Sequence, residues 1–101
     1  MTDSVEIEVT DETTHGAYRV QVPGSSEPAE LTWTARGEAR IADHTYVPDE
    51  ARGKGLAMQL VERLVADARA QGFTIVPQCS YVAAAFRRHA DWADVRASPG
   101  E

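Results

Sequence analysis

Val5, Ile7 and Val9 alternate with Glu6, Glu8 and Thr10, the two-residue period of a strand that buries one face and wets the other. The pattern recurs over Ala17 to Val22, with Tyr18, Val20 and Val22 on one side and Arg19 and Gln21 on the other. Pro23-Gly24-Ser25-Ser26-Glu27-Pro28 is dense in turn-forming residues and predicts a hairpin connection. Leu31, Trp33 and Ala35 then form one side of a third strand, and after Gly37 the β-branched content of Ala39 to Val47 predicts a fourth. Past Pro48 the period becomes 3.6. Leu56, Leu60, Val61, Leu64, Val65 and Ala68 fall on one stripe of a helix, with Gln59, Glu62, Arg63 and Asp67 opposite, and Gly72 ends it. Phe73 to Val76 reads as a buried strand stopped by Pro77, and Ser80 to about His89 as an Ala-rich second helix. The tail Ala97 to Glu101 is expected to fray.

This order predicts an α+β fold, an α/β sandwich made of a four-stranded antiparallel meander, a helix, a fifth strand parallel to strand four and a C-terminal helix. With 101 residues, 43% hydrophobic and 26% charged, the chain has the size and balance of one soluble domain. So small a core predicts a monomer or a weak homodimer. The net charge of -6 opposes a nucleic-acid surface. Nowhere do about 18 apolar residues run together, so no membrane span is expected. Met1-Thr2-Asp3-Ser4-Val5-Glu6 has neither a basic flank nor an apolar run, and the expected location is cytoplasmic. A single cysteine, Cys79, and three scattered histidines predict neither an internal disulfide nor a four-ligand zinc site, so no metal is expected.

The chemistry concentrates at Arg52-Gly53-Lys54-Gly55, between a strand end and the first turn of the amphipathic helix. The first N–H groups of a helix have no partner within it, and the helix dipole adds positive charge there. Two glycines remove the Cβ atoms that would keep a ligand from the backbone, so phosphate or pyrophosphate suits the turn, and Arg52 and Lys54 can add charge. The plain alternative is a solvated turn with exposed basic residues. Against it, two glycines lower helix propensity by up to roughly 1 kcal/mol each with no capping residue just before them. The turn is not a P-loop, because the residue five before Gly53 is Pro48 and Lys54 is followed by Gly55. Nor is it a dinucleotide fingerprint, which fails at Met58.

Arg52-x-x-Gly55-x-Ala57, after Thr45-Tyr46-Val47, resembles the Arg/Gln-x-x-Gly-x-Gly/Ala motif of GCN5-related N-acetyltransferases. His44 to Pro48, Arg52 to Ala57 and Val76 to Val82 together look like the small single-domain, YidJ-like branch of that family, over nearly the whole chain. The resemblance implies acetyl-CoA as co-substrate, held by Tyr46, Val47, Arg52, Gly53, Lys54, Gly55, Leu56 and Ala57, and an amine of unknown identity as acceptor. It also implies that the family's usual two N-terminal helices, and the substrate loop they supply, are missing.

Acetyl transfer needs a nucleophile, a donor to the thioester oxygen and an acid for the departing thiolate. Cys79, between strand five and the second helix, is a candidate acyl-accepting thiol, or else a small buried hydrophobe. His44, on strand four, is a candidate base or a group that orients Cys79, or else a structural histidine. Tyr81 can donate a hydroxyl but suits the core equally. Arg87 and Arg88 suit solvent better than a CoA phosphate, and His15 and His89 read as surface residues. Three functions follow: an acyltransferase, a protein that holds acyl-CoA without turnover, and a small interaction module.

Overall fold

The computed structural model describes residues 6–97, so the expected part of Val5 in the first strand lies outside the described residues. The chain runs β1 (Glu8–Asp11), β2 (His15–Val20), β3 (Ala29–Arg36), β4 (Ala39–Tyr46), α1 (Leu56–Gln71), β5 (Thr74–Pro77) and α2 (Ser80–Arg88), with short 3-10 turns at Asp49–Ala51 and Ala90–Val95. The strands lie in one sheet in chain order, β1 to β4 antiparallel and β5 parallel to β4. This is the architecture that the periodicities predict.

Residues opposite one another in a ladder share a face, so the pairs Gly16–Trp33, Tyr18–Leu31 and Val20–Ala29 define the core side of the sheet. α1 covers that side with Leu56, Leu60, Val61, Leu64, Val65 and Ala68, the six residues of the predicted stripe. Gly72 closes the helix at φ 83°, its N–H donating to the Ala68 carbonyl at 2.8 Å. Val82, Ala85 and Phe86 of α2 enter the same core. Tyr18 is buried except for its need of a partner, which Asp67 of α1 meets at 2.9 Å. Gly16 is required by space: a Cβ there would stand 2.3 Å from the Thr10 carbonyl oxygen and 2.4 Å from the Trp33 ring.

Three expectations at the chain ends are corrected. β1 pairs Val9 with Tyr18, on the core side, yet Val9 is 44% exposed because it sits on the edge strand, outboard of β2 and β3 where α1 packs. β2 begins at His15 and ends at Val20, two residues earlier than the alternation implies, although Val22 remains buried. Ala97 is buried rather than frayed, its N–H donating to Ile75 at 2.8 Å, while the rest of the tail lies outside the described residues. The turn Ala90–Val95 anchors this end through buried Trp92 and Val95, and Arg69 of α1 grips Asp94 at 2.9 Å. His89 is consequently half-buried, its ring stacked on Trp92 at 4.0 Å, not a free surface residue.

Two breaks in β4 position the site. Between β3 and β4 the register slips, since Thr32 pairs with His44 but Trp33 pairs with Ala42, leaving Asp43 as an extra residue. Such a bulge reverses the alternation beyond it. Thr45, opposite buried Leu31, therefore faces the core side, and His44, opposite Thr32, faces away. The Asp43 carboxylate accepts hydrogen bonds from the hydroxyls of Thr32 at 2.6 Å and Thr34 at 2.7 Å, which fixes the bulge. The β4–β5 ladder ends at the same level, on the pair Ala42–Pro77. Cys79 adds one bond, its N–H donating to the Ala42 carbonyl at 2.9 Å, and from there the two chains part.

Candidate active site

The segment after β4 turns sharply so that α1 can start beneath it. Gly53 and Gly55 take φ of 81° and 75°, left-handed backbone that costs an L-residue roughly 1–2 kcal/mol. Lys54 N–H donates to Ala51 at 3.3 Å and Gln59 N–H to Gly55 at 3.1 Å. Among the described residues, no backbone carbonyl accepts from the N–H groups of Gly53, Gly55, Leu56, Ala57 or Met58, and no side chain caps the helix. Five donors and the positive end of the helix dipole thus share one turn.

Of these residues, Gly53, Gly55, Leu56 and Ala57 border an open cavity of about 400 Å³. It is lined by Arg52, Gly53 and Gly55 of the turn, by apolar Val47, Ala51, Leu56 and Ala57, and by Thr45 and Tyr81. A ligand that carries both a phosphate group and an uncharged arm suits this mixture of backbone donors and apolar side chains. Beyond Gly55 an added Cβ would meet no atom within 4 Å, so backbone can be approached closely there.

Of the residues expected to hold the co-substrate, Val47, Arg52, Gly53, Gly55, Leu56 and Ala57 line this cavity. Arg52 also pairs with exposed Asp49 at 3.2 Å. Lys54 is exposed beside the turn and is not part of the wall. The Tyr46 side chain points to the opposite face of the sheet, where its hydroxyl donates to Glu27 at 2.8 Å, next to Pro28 and Glu30. The bulge is the reason, because it turns Thr45 and Val47 inward and leaves Tyr46 between them facing out.

Cys79 caps the N-terminus of α2 with an extended backbone, and its Sγ lies 3.4 Å from Thr45 Oγ1. Burial pushes its thiol up, but the Thr45 hydroxyl and the N–H groups of Val82, Tyr81 and Thr45 outweigh this, so the thiol sits below its ordinary value. It is half-buried and is not itself in the cavity wall; it reaches the wall through Thr45. His44 is exposed on the other face, so the bulge separates the two residues that the sequence paired as nucleophile and base. Thr45 stands where His44 was expected. The alternation of β4 contains no sign of a one-residue insertion, which its pairing with β3 reveals. Tyr81 comes to the cavity from the first turn of α2, whereas Arg87 and Arg88 lie in the last turn, at the other end of that helix.

Residues 17–95 match the family model for GCN5-related N-acetyl-transferase. The solution NMR structure of a GCN5-like candidate N-acetyltransferase from Staphylococcus aureus is similar at TM-score 0.73 and 22% identity, over 96% of this chain and 92% of that one. The crystal structure of ribosomal-protein-alanine N-acetyltransferase from Brucella melitensis biovar Abortus 2308 gives TM-score 0.54 and 19% identity, over 90% of this chain and 69% of that one. At these identities the two structures share the fold.

Proposed function

Because the chain belongs to the GCN5-related N-acetyltransferase family, we propose that it binds acetyl-CoA in the cavity at the start of α1 and transfers the acetyl group to a primary amine. The observation that carries this reading is the set of N–H groups at Gly53, Gly55, Leu56 and Ala57 that have no backbone partner among the described residues and border a cavity that also takes in Thr45, beside the parting of β4 and β5. The pyrophosphate takes those donors and the helix dipole. Arg52 exchanges its exposed contact with Asp49 for phosphate, and Lys54 reaches the same charge from outside the wall. The uncharged arm of the ligand follows Val47 toward Thr45 and Tyr81. A single free thiol fits a reducing compartment, and we place the reaction in the cytoplasm.

In the cysteine route the Cys79 thiolate attacks the thioester carbonyl carbon. A new C–S bond forms, the bond to the CoA sulfur breaks, and that sulfur leaves as a thiolate that takes up a proton. The acceptor amine then attacks the acetyl-cysteine carbon, loses a proton to solvent and returns the Cys79 thiolate. The position of Cys79 behind Thr45 favours a second route, in which the amine attacks the thioester directly and Cys79 only packs behind the cavity wall.

Thermal unfolding with acetyl-CoA, NAD and ATP tests the binding reading. A ligand held only by the folded chain raises the melting temperature, and acetyl-CoA should raise it most. Equal shifts from all three would reduce the site to nonspecific phosphate binding. Mass spectrometry after incubation with acetyl-CoA separates the routes: an acetyl adduct on Cys79, absent in Cys79→Ala, supports the covalent one. Full amine acetylation by Cys79→Ala supports direct transfer. Binding without hydrolysis, adduct or amine product leaves an acyl-CoA carrier.

A further inference from the structure

We propose that Thr45 is a positioning residue for Cys79, its hydroxyl donating a hydrogen bond to the sulfur anion and fixing the thiolate beside the acyl cavity. The inference deepens the reading of the acyl site given above and rests on it for the word acyl, but the contact itself is geometric. Thr45 is at once part of the cavity wall and 3.4 Å from the Cys79 sulfur.

Three structural facts converge on this contact. The bulge at Asp43 puts Thr45 on the core side of β4; with a continuous alternation Thr45 would face away, as His44 does. The β4–β5 ladder stops at Ala42–Pro77, which opens a gap beside Thr45 that a β5 residue would otherwise fill. The N–H of Cys79 bonds the Ala42 carbonyl at 2.9 Å, so the chain is pinned two residues past Pro77 with its thiol over that gap.

The chemistry follows from the donors available. A neutral thiol and a hydroxyl can each donate to the other. Once Cys79 is ionised only Thr45 can donate, so the bond favours the thiolate, together with the N–H groups at the start of α2. The shift of the thiol below its ordinary value has these causes. Other ionisable groups are distant in role: His44 faces the opposite side of the sheet, and Tyr81 borders the cavity.

The test is the pH profile of Cys79 alkylation by iodoacetamide in wild type, Thr45→Val and Thr45→Ser. Valine keeps the shape of threonine and loses the donor; serine keeps the donor. Thr45→Val should raise the midpoint by about one pH unit and slow alkylation near neutrality roughly tenfold, since a hydrogen bond to a charged group is lost. Thr45→Ser should return the midpoint to within a few tenths of wild type. Unfolding curves of each variant establish that the comparison is between folded proteins. An unmoved midpoint in folded Thr45→Val overturns the proposal, as does a Thr45→Ser profile equal to that of valine. These outcomes are separate from failure of the acyl-CoA reading, which shows in wild type as no stabilisation by acetyl-CoA whatever the alkylation profile.

Discussion

Glycines at the two ends of α1 offer a test of where the phosphate sits. Gly55 and Gly72 have φ of 75° and 83°, and a Cβ at either would meet no atom within 4 Å. Alanine at either position therefore costs backbone strain and no clash, about 1 kcal/mol. For a domain of this size that lowers the melting temperature by roughly 4–8 °C, and the two variants should be matched in urea unfolding as well. They should differ in ligand binding. At Gly55 the new methyl enters the space through which a pyrophosphate would reach the N–H groups of Gly55 and Leu56. Losing one charge-assisted hydrogen bond costs about 1.5–3 kcal/mol, or roughly a ten- to hundredfold weaker Kd. Gly72 lies at the far end of the helix, about 26 Å away at 1.5 Å per residue, and its alanine variant should bind as wild type does. Calorimetric titration of CoA into both proteins decides the matter. If Gly55→Ala and Gly72→Ala bind CoA alike, the phosphate is not on this turn and the site is misplaced.

Gly16→Ala should destabilise by about 1–3 kcal/mol in urea unfolding without altering the slope, because the added methyl must displace both the Thr10 carbonyl and the Trp33 ring; a change under 0.5 kcal/mol would show that both have room to move. Tyr18→Phe should cost about 1 kcal/mol near neutrality, since the hydrogen bond to Asp67 is lost while Arg63 still holds that carboxylate. It should also change the alkaline limit. Burial first, then the bond to Asp67, raises the Tyr18 hydroxyl above its ordinary 10.0, so the folded state keeps a proton that the unfolded chain releases. Wild-type stability should accordingly be complete below about pH 10 and fall as pH rises beyond it, and the decline should be shallower in Tyr18→Phe. Parallel declines in the two proteins would contradict this assignment.

The helix and the glycine turn were legible because each leaves a repeated or chemically forced trace. Six apolar positions at helical spacing can share only one face of a helix, and all six of α1 are buried. Gly53 and Gly55 mark left-handed backbone because other residues pay for it. The turn Ala90–Val95 escaped notice because six residues are too few to establish a period. Its Trp92 packs on near neighbours in the chain, Phe86 edge-on at 5.2 Å and His89 stacked, contacts that hydrophobic periodicity does not encode. The misplacement of His44 and Tyr46 has one cause. A strand period of two assigns faces by parity, and a single extra residue at Asp43 inverts the parity of every residue after it.

That inversion also explains why the chemistry gathers where it does. A parallel neighbour to β4 would normally satisfy the backbone groups along its whole edge. Pro77 supplies no N–H and ends β5 opposite Ala42, one residue before the bulge, so the loss of the partner strand and the change of face happen at the same level. Had β5 stopped without the bulge, the gap would be lined by His44 and Tyr46, two large polar rings, in place of Thr45 and Val47. Had the bulge formed beside a continuing β5, Thr45 would contact a strand and no cavity would open. The two together leave a small hydroxyl and an apolar residue beside the open end of β4, with the N-terminus of α1 on one side and that of α2 on the other. The start of α1, with N–H groups that have no backbone partner among the described residues, and Tyr81 in the first turn of α2 thus line one cavity, and on the reading proposed above the first would take the phosphate of an anionic thioester donor.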